Sequence, residues 1–193
     1  MHALKYWTGY CLSTLRGWLY TLHPGKSMLA KTDRVRNSPL YDDVCSWQKA
    51  QIESMTFEND RPTKSEKGAI DLSLMARIHR RTLLEIKHEL GDLWRPSSVT
   101  MDKGKGISLD QSIAIMHRLR DAGFPDDSLG VVSVQFNGRR HSFAVVHDRD
   151  DDFWMLDNGM FSFCPLRGSA FFGARKDVHE LIGFNFFDVW NYS

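Results

Sequence analysis

The sequence predicts an α+β fold in which N-terminal helices precede an antiparallel β-sheet. Three observations carry this expectation. Apolar residues recur at helical spacing through two long segments that end near Ala122. From Val131 onward the pattern changes to short β-branched and aromatic runs. Between the first two of those runs stands Asn137-Gly138, a strong hairpin signal.

The 193 residues suit one domain, or at most one domain with a helical appendage. Hydrophobic residues make up 42% and charged residues 25%, enough apolar surface to offset chain entropy, so disorder as the main state is excluded. Lys plus Arg is 25 against Asp plus Glu at 24, a formal net charge of +1, which leaves no global electrostatic footprint for nucleic acid. The three cysteines, Cys11, Cys45 and Cys164, form neither a disulfide framework nor a Cys-rich zinc site. No cofactor or metal is expected.

Residues 1–40 read as an N-terminal amphipathic segment and linker, and residues 41–193 as the domain. Met1 to His23 is rich in Leu, Trp and Tyr, but Lys5 and Arg16 interrupt it. A bilayer span needs ~20 nearly uncharged residues, so a transmembrane helix is not expected. The stretch reads as an amphipathic helix that packs on the domain or contacts a membrane surface, with a poor export signal as the competing reading. Cytoplasm and periplasm both stay open. Pro24 to Pro39, with Lys26, Lys31, Arg34 and Arg36, reads as a linker.

Val44, Trp47 and Ile52 suit a helix over Asp42 to Met55, capped by Asp42 or Asp43, and Phe57 to Ser65 reads as a polar loop. The spacing of Ile70, Leu74, Ile78, Leu83, Ile86 and Leu90 predicts a helix from about Glu66 to Leu90, stopped by Gly91. His79 and His88 are assigned to its solvated face. Asp92 to Gly106 reads as a loop, and Gly104-x-Gly106 fits neither phosphate-binding fingerprint. Ile113, Met116 and Leu119 place the next helix over Ser108 to Ala122, ended by Gly123 with Pro125 beyond. Strands follow at Val131–Phe136, His141–His147 and Phe153–Asp157, with a single closing strand over Leu181–Trp190. The acidic turn Asp148 to Asp152 lacks a calcium loop's glycine and distal glutamate, and reads as a solvated hairpin turn.

Ser108, His141 and Asp157 form the constellation of interest. Ser108 opens a helix, where backbone N–H groups can stabilise an oxyanion. His141 begins the second strand and Asp157 ends the third. Nine residues separate His141 from Asp150 and seven separate Asp150 from Asp157, so pairing through the acidic turn brings both to one end of the sheet. A base with an orienting carboxylate, near a nucleophile at a helix start, is the general triad arrangement.

Trp94, Pro96, and Gly106-Ile107-Ser108-Leu109-Asp110 before a helix ending in Gly123-Phe124-Pro125 resemble the bacterial transglutaminase-like cysteine proteinases. In that family a Trp, a nearby Pro and Gly-Asp-Cys-Glu-Asp precede a helix ending in Gly-x-Pro. The strand His141-Ser142-Phe143-Ala144-Val145-Val146, the segment Leu156-Asp157-Asn158 and the tail Gly183-Phe184-Asn185 to Trp190 match the family's histidine strand, aspartate segment and closing strand. The resemblance covers about Leu72 to Trp190. It implies a papain-like/transglutaminase core, a catalytic triad at Ser108, His141 and Asp157, substrate contacts at Trp94, Gly106 and Asn158, and a polypeptide substrate or partner.

The chain departs from the family at its nucleophile. Ser108 stands where the family has cysteine, and Ile107 and Leu109 stand where it has acidic residues tied to a calcium ion. Calcium dependence is therefore not expected, although Asp110 is retained. A cysteine near a histidine at a helix N-terminus becomes a thiolate, its pKa falling from about 8.5 to between ~3.5 and ~7.5. A serine hydroxyl must instead lose its proton during attack. Losing a triad's nucleophile costs on the order of 10⁶ in turnover. The expectation is a catalytically impaired homologue that binds a polypeptide in the former cleft. The alternative is an active hydrolase with Ser108 as nucleophile, His141 as base and Asp157 as orienter. A third reading gives another activity to Cys45, whose plainer role is packing beside Trp47.

Overall fold

The computed structural model describes residues 31–32, 43–49, 70–91, 94–148, 152–159, 162, 164–174 and 178–192. The expectations for Met1 to Ala30, for the loop Phe57 to Ser65 and for Cys11 lie outside the described residues. Of the helix expected over Asp42 to Met55, residues 43–49 are helical (α1).

The class is α+β. Among the described residues the strands are β1 (Lys31–Thr32), β2 (Lys87–His88), β3 (Lys105–Gly106), β4 (Leu129–Phe136), β5 (Arg139–His147), β6 (Phe153–Leu156), β7 (Leu166–Arg167), β8 (Val178–Phe184) and β9 (Val189–Tyr192). The other helices are α2 (Leu72–Glu85), α3 (Ser97–Lys103), α4 (Ser108–Asp121) and α5 (Gly168–Ala174). The main sheet has seven antiparallel strands in the order β1-β9-β8-β4-β5-β6-β7. Lys31–Thr32, in the stretch read as a linker, forms its edge against β9.

The β4–β5 hairpin turns on Asn137 (φ 49°) and Gly138 (φ 72°), the paired positive values of a type I′ turn. Alternation along its strands builds two cores. Val131, Ala144 and Val146 pack with Leu109, Ile113, Met116 and Leu119 of α4. Val132, Val134, Phe143 and Val145 face the other way and pack with Phe171 of α5. Both sheet faces are therefore covered, with α4 central on one.

Several elements differ from the sequence reading. The long helix stops at Glu85, because Ile86 turns extended and the chain pairs in parallel with β3: Lys87 N donates to the Gly104 carbonyl and Glu89 N to the Gly106 carbonyl. Leu90, counted as apolar stripe, is 94% exposed. The expected loop before Gly106 contains α3, closed by Gly104 in the left-handed region (φ 62°). The closing strand is a hairpin, β8 and β9. Asn185 breaks it, its Oδ1 accepting from Phe187 N and Asp188 N at 2.8 Å each. The turn at Asp148–Asp152 is not simply solvated: the Asp152 carboxylate is buried, and accepts from Ser169 N at 3.0 Å at the start of α5.

Candidate active site

Helix α4 begins where the sequence places it. Asp110, its third residue, accepts from Ile107 N at 3.2 Å and so satisfies a backbone donor at the helix entry. Asp110 also accepts from Arg95 N at 2.9 Å, with the Arg95 guanidinium 3.6 Å away and also paired to Glu89. Burial pushes the Asp110 carboxyl above its ordinary range, and the two backbone N–H groups oppose that shift. Ser108 is the first helical residue and is half-buried.

His141 and Asp157 meet. The imidazole Nε2 lies 2.5 Å from Asp157 Oδ1, and both side chains are almost entirely buried. The β5–β6 register pairs Ala144 with Leu156, so one further step sets Asp157 beside Phe143, two residues along from His141 on the same face. Because a carboxylate only accepts, Nε2 of His141 carries a proton, which in the neutral ring leaves the lone pair on Nδ1. The second carboxylate oxygen, Oδ2, accepts from Gly159 N at 3.2 Å and Ser162 N at 3.0 Å. Asp157 is thus fixed through both oxygens.

Ser108 is tied to this corner at one remove. Gln111, a turn further along α4, accepts from Asn158 Nδ2 at 2.8 Å and donates to the Ile86 carbonyl at 2.8 Å. β6 pairs with Ala144–His147 of β5, so on that side His141 is flanked by the turn that follows Asp157. Helix α4 packs on the sheet face opposite the one that carries Phe143 and His141.

The other residues singled out in the sequence have settings of their own. Trp94 is half-buried and stacks on Phe184, centroids 5.8 Å apart and planes at 14°. Gly106 is buried in β3, where a Cβ would meet Asp110 Cβ at 2.6 Å and Thr100 Cγ2 at 3.1 Å. Cys164 is buried and Cys45 half-buried. Among the described residues no group of three or more His, Cys, Asp or Glu gathers as a metal site.

Two residues at the site escape the sequence reading. His79 is not on a wet face: it is fully buried, with Nε2 2.6 Å from the Asp157 carbonyl oxygen. Desolvation holds its pKa below the ordinary histidine value. The signal that could have found it is a second stripe: Met75, His79 and Thr82 form the buried face of α2, and Ile86 just past its end is buried too. Gln111 carries a weaker signal: three residues past Ser108, it shares that residue's side of the helix.

No protein-family model matches the chain, and no curated protein matches it in sequence. Among solved structures, Legionella pneumophila LapG is similar at a TM-score of 0.53 and 15% identity, over 93% of this chain and 87% of that chain. Its calcium-bound form gives the same figures, and its EGTA-treated form a TM-score of 0.54 over 84% of that chain. At this identity the likeness establishes the fold.

Proposed function

We propose that this chain is a transglutaminase-like peptidase homologue that binds an extended polypeptide in its former active-site cleft and hydrolyses it weakly or not at all. The observation that carries the reading is Ser108 at the head of α4, between Ile107 and Leu109, in a site whose histidine and aspartate are otherwise assembled. A histidine–carboxylate pair of this kind stabilises an imidazolium beside a pre-formed thiolate. A hydroxyl does not ionise there, and needs the base placed for proton transfer during attack. The LapG-like fold and the motif order from Trp94 to Trp190 support the peptidase ancestry, and the polypeptide as ligand rests on both.

One observation favours a second reading, a serine hydrolase. Asp157 is gripped through both oxygens and leaves Nδ1 of His141 as the basic nitrogen, which is the arrangement a working base requires.

Covalent labelling read by intact mass separates the two. Wild type is treated with a fluorophosphonate, and Ser108→Cys with iodoacetamide from about pH 5 to about pH 9, where thiolate fraction sets the rate. The binding reading expects no phosphonate adduct, rapid labelling of the cysteine variant at low pH, and retention of uncleaved fluorescein-casein by immobilised wild type. An adduct on Ser108 would replace it with the hydrolase.

A further inference from the structure

β6 ends at Leu156, one residue short of Asp157. Its main chain and its neighbour are also held from two helices. From α2, His79 Nε2 reaches the Asp157 carbonyl at 2.6 Å. A carbonyl only accepts, so His79 carries its proton on Nε2, and Nδ1 is an unprotonated lone pair. That Nδ1 is buried without a hydrogen-bond partner among the described residues, a state suited to a neutral ring. From α4, Gln111 holds Asn158 through its oxygen and the Ile86 carbonyl through its nitrogen. Ile86 closes α2, so the same glutamine also links the two helices. His79 is 0% and Gln111 3% exposed, and all three hydrogen bonds lie between 2.6 and 2.8 Å.

We propose that His79 and Gln111 are positioning residues, which set the Asp157 carboxylate in register with His141 and so keep His141 in the tautomer whose Nδ1 is basic. The inference rests on the reading of His141 and Asp157 as base and orienter. Neither residue need touch substrate. Each acts through the Asp157–Asn158 corner, because a hydrogen bond weakens steeply once distance or angle slips. The carboxylate has two backbone amides of its own, yet those come from Gly159 and Ser162, in the same turn, and would move with it.

The test reads the pair directly, by NMR of the ¹⁵N-labelled full chain. The His141 Nε2–H resonance is identified as the one lost in Asp157→Ala. In His79→Leu and in Gln111→Leu it is expected to move upfield and to lose about tenfold or more of its protection from solvent exchange, while circular dichroism and cooperative unfolding persist. His79→Gln, whose amide can still donate to the carbonyl, is expected to restore it. An unchanged resonance in both leucine variants would overturn the proposal, as would a folded His79→Gln that behaves like His79→Leu. Should His79→Leu fail to fold, Gln111→Leu and His79→Gln decide the matter by the same criteria. Absence of the resonance from the unmutated chain would remove the base–orienter pair itself, and the proposal with it. A missing phosphonate adduct, by contrast, bears on Ser108 and leaves this measurement untouched.

Discussion

Replacing Asp157 by alanine tests the core of the site without reference to any substrate. The carboxylate is fully buried and, among the described residues, accepts from His141 Nε2, Gly159 N and Ser162 N. Truncation leaves those donors facing a cavity, two of the three bonds being wholly buried. An orphaned buried donor costs about 1–3 kcal/mol, so the two wholly buried donors set an expected loss of about 2–6 kcal/mol for Asp157→Ala. Asp157→Asn differs in kind. Its remaining oxygen can still serve the Gly159 and Ser162 amides, so the expected loss is about 1–2 kcal/mol. Its NH₂ then faces His141 Nε2 and drives the ring to the opposite tautomer, with the proton on Nδ1. Urea titration measures both, with an unchanged slope required for the comparison to stand. An alanine variant within about 1 kcal/mol of wild type would refute the reasoning, since water or a shifted backbone would then be satisfying all three donors.

Acid should destabilise the fold through His79. Its pKa is lowered in the folded state, so below about pH 6.5 only the unfolded chain takes the proton, and stability falls by up to about 1.4 kcal/mol per pH unit until the folded-state pKa is reached. His117, also lowered by desolvation, adds in the same direction, while Asp110, raised by burial, gains stability as pH falls through its own folded pKa. Urea midpoints across this range should therefore lose one histidine's share of the slope in His79→Gln; an unaltered slope would exclude His79 as its source. Gly106→Ala should cost about 1–3 kcal/mol, because the new Cβ meets the pinned Asp110 at 2.6 Å, and a thermal melt matching wild type would show that the contact relaxes freely. Calcium at about 100 times a dissociation constant would stabilise by about 2.7 kcal/mol. With Asp110 already engaged by Arg95 and Ile107, calcium or EGTA is expected to leave the melting temperature unmoved, and a calcium-dependent rise would reveal a site.

The elements legible in the sequence are those specified locally. Asn137-Gly138 can adopt positive φ at both positions and so dictates its hairpin, and Gly123 with Pro125 closes α4 where the pattern ends. Elements specified by distant partners are not legible in the same way. The tail of the long segment has helical spacing through Leu90, but backbone groups of the Gly104–Gly106 segment capture Lys87 and Glu89 as a parallel strand. Tertiary hydrogen bonds override a periodicity that is only marginally amphipathic there, with Leu84 and Leu90 both exposed. Asn185 shows the same limit from the other side. One buried amide capping Phe187 and Asp188 divides an apolar run into two strands, and nothing in the run's composition distinguishes that residue from a solvated one.

At the site, strand parity is readable and the surrounding shell is not. Alternation and an approximate register place His141 and Asp157 at one sheet end, and the two-residue stagger the counting implies is the diagonal the structure shows. His79 cannot be placed the same way. Histidine is neutral in the core and charged in water over a narrow pH range, so its type gives no preference between faces of α2. The choice is made by the contact with the Asp157 carbonyl, which exists only after the sheet and α2 have packed. A buried imidazole with one nitrogen bonded and the other unsatisfied is a costly way to hold one carbonyl. The expense is intelligible if the position of Asp157 matters more than the stability of α2.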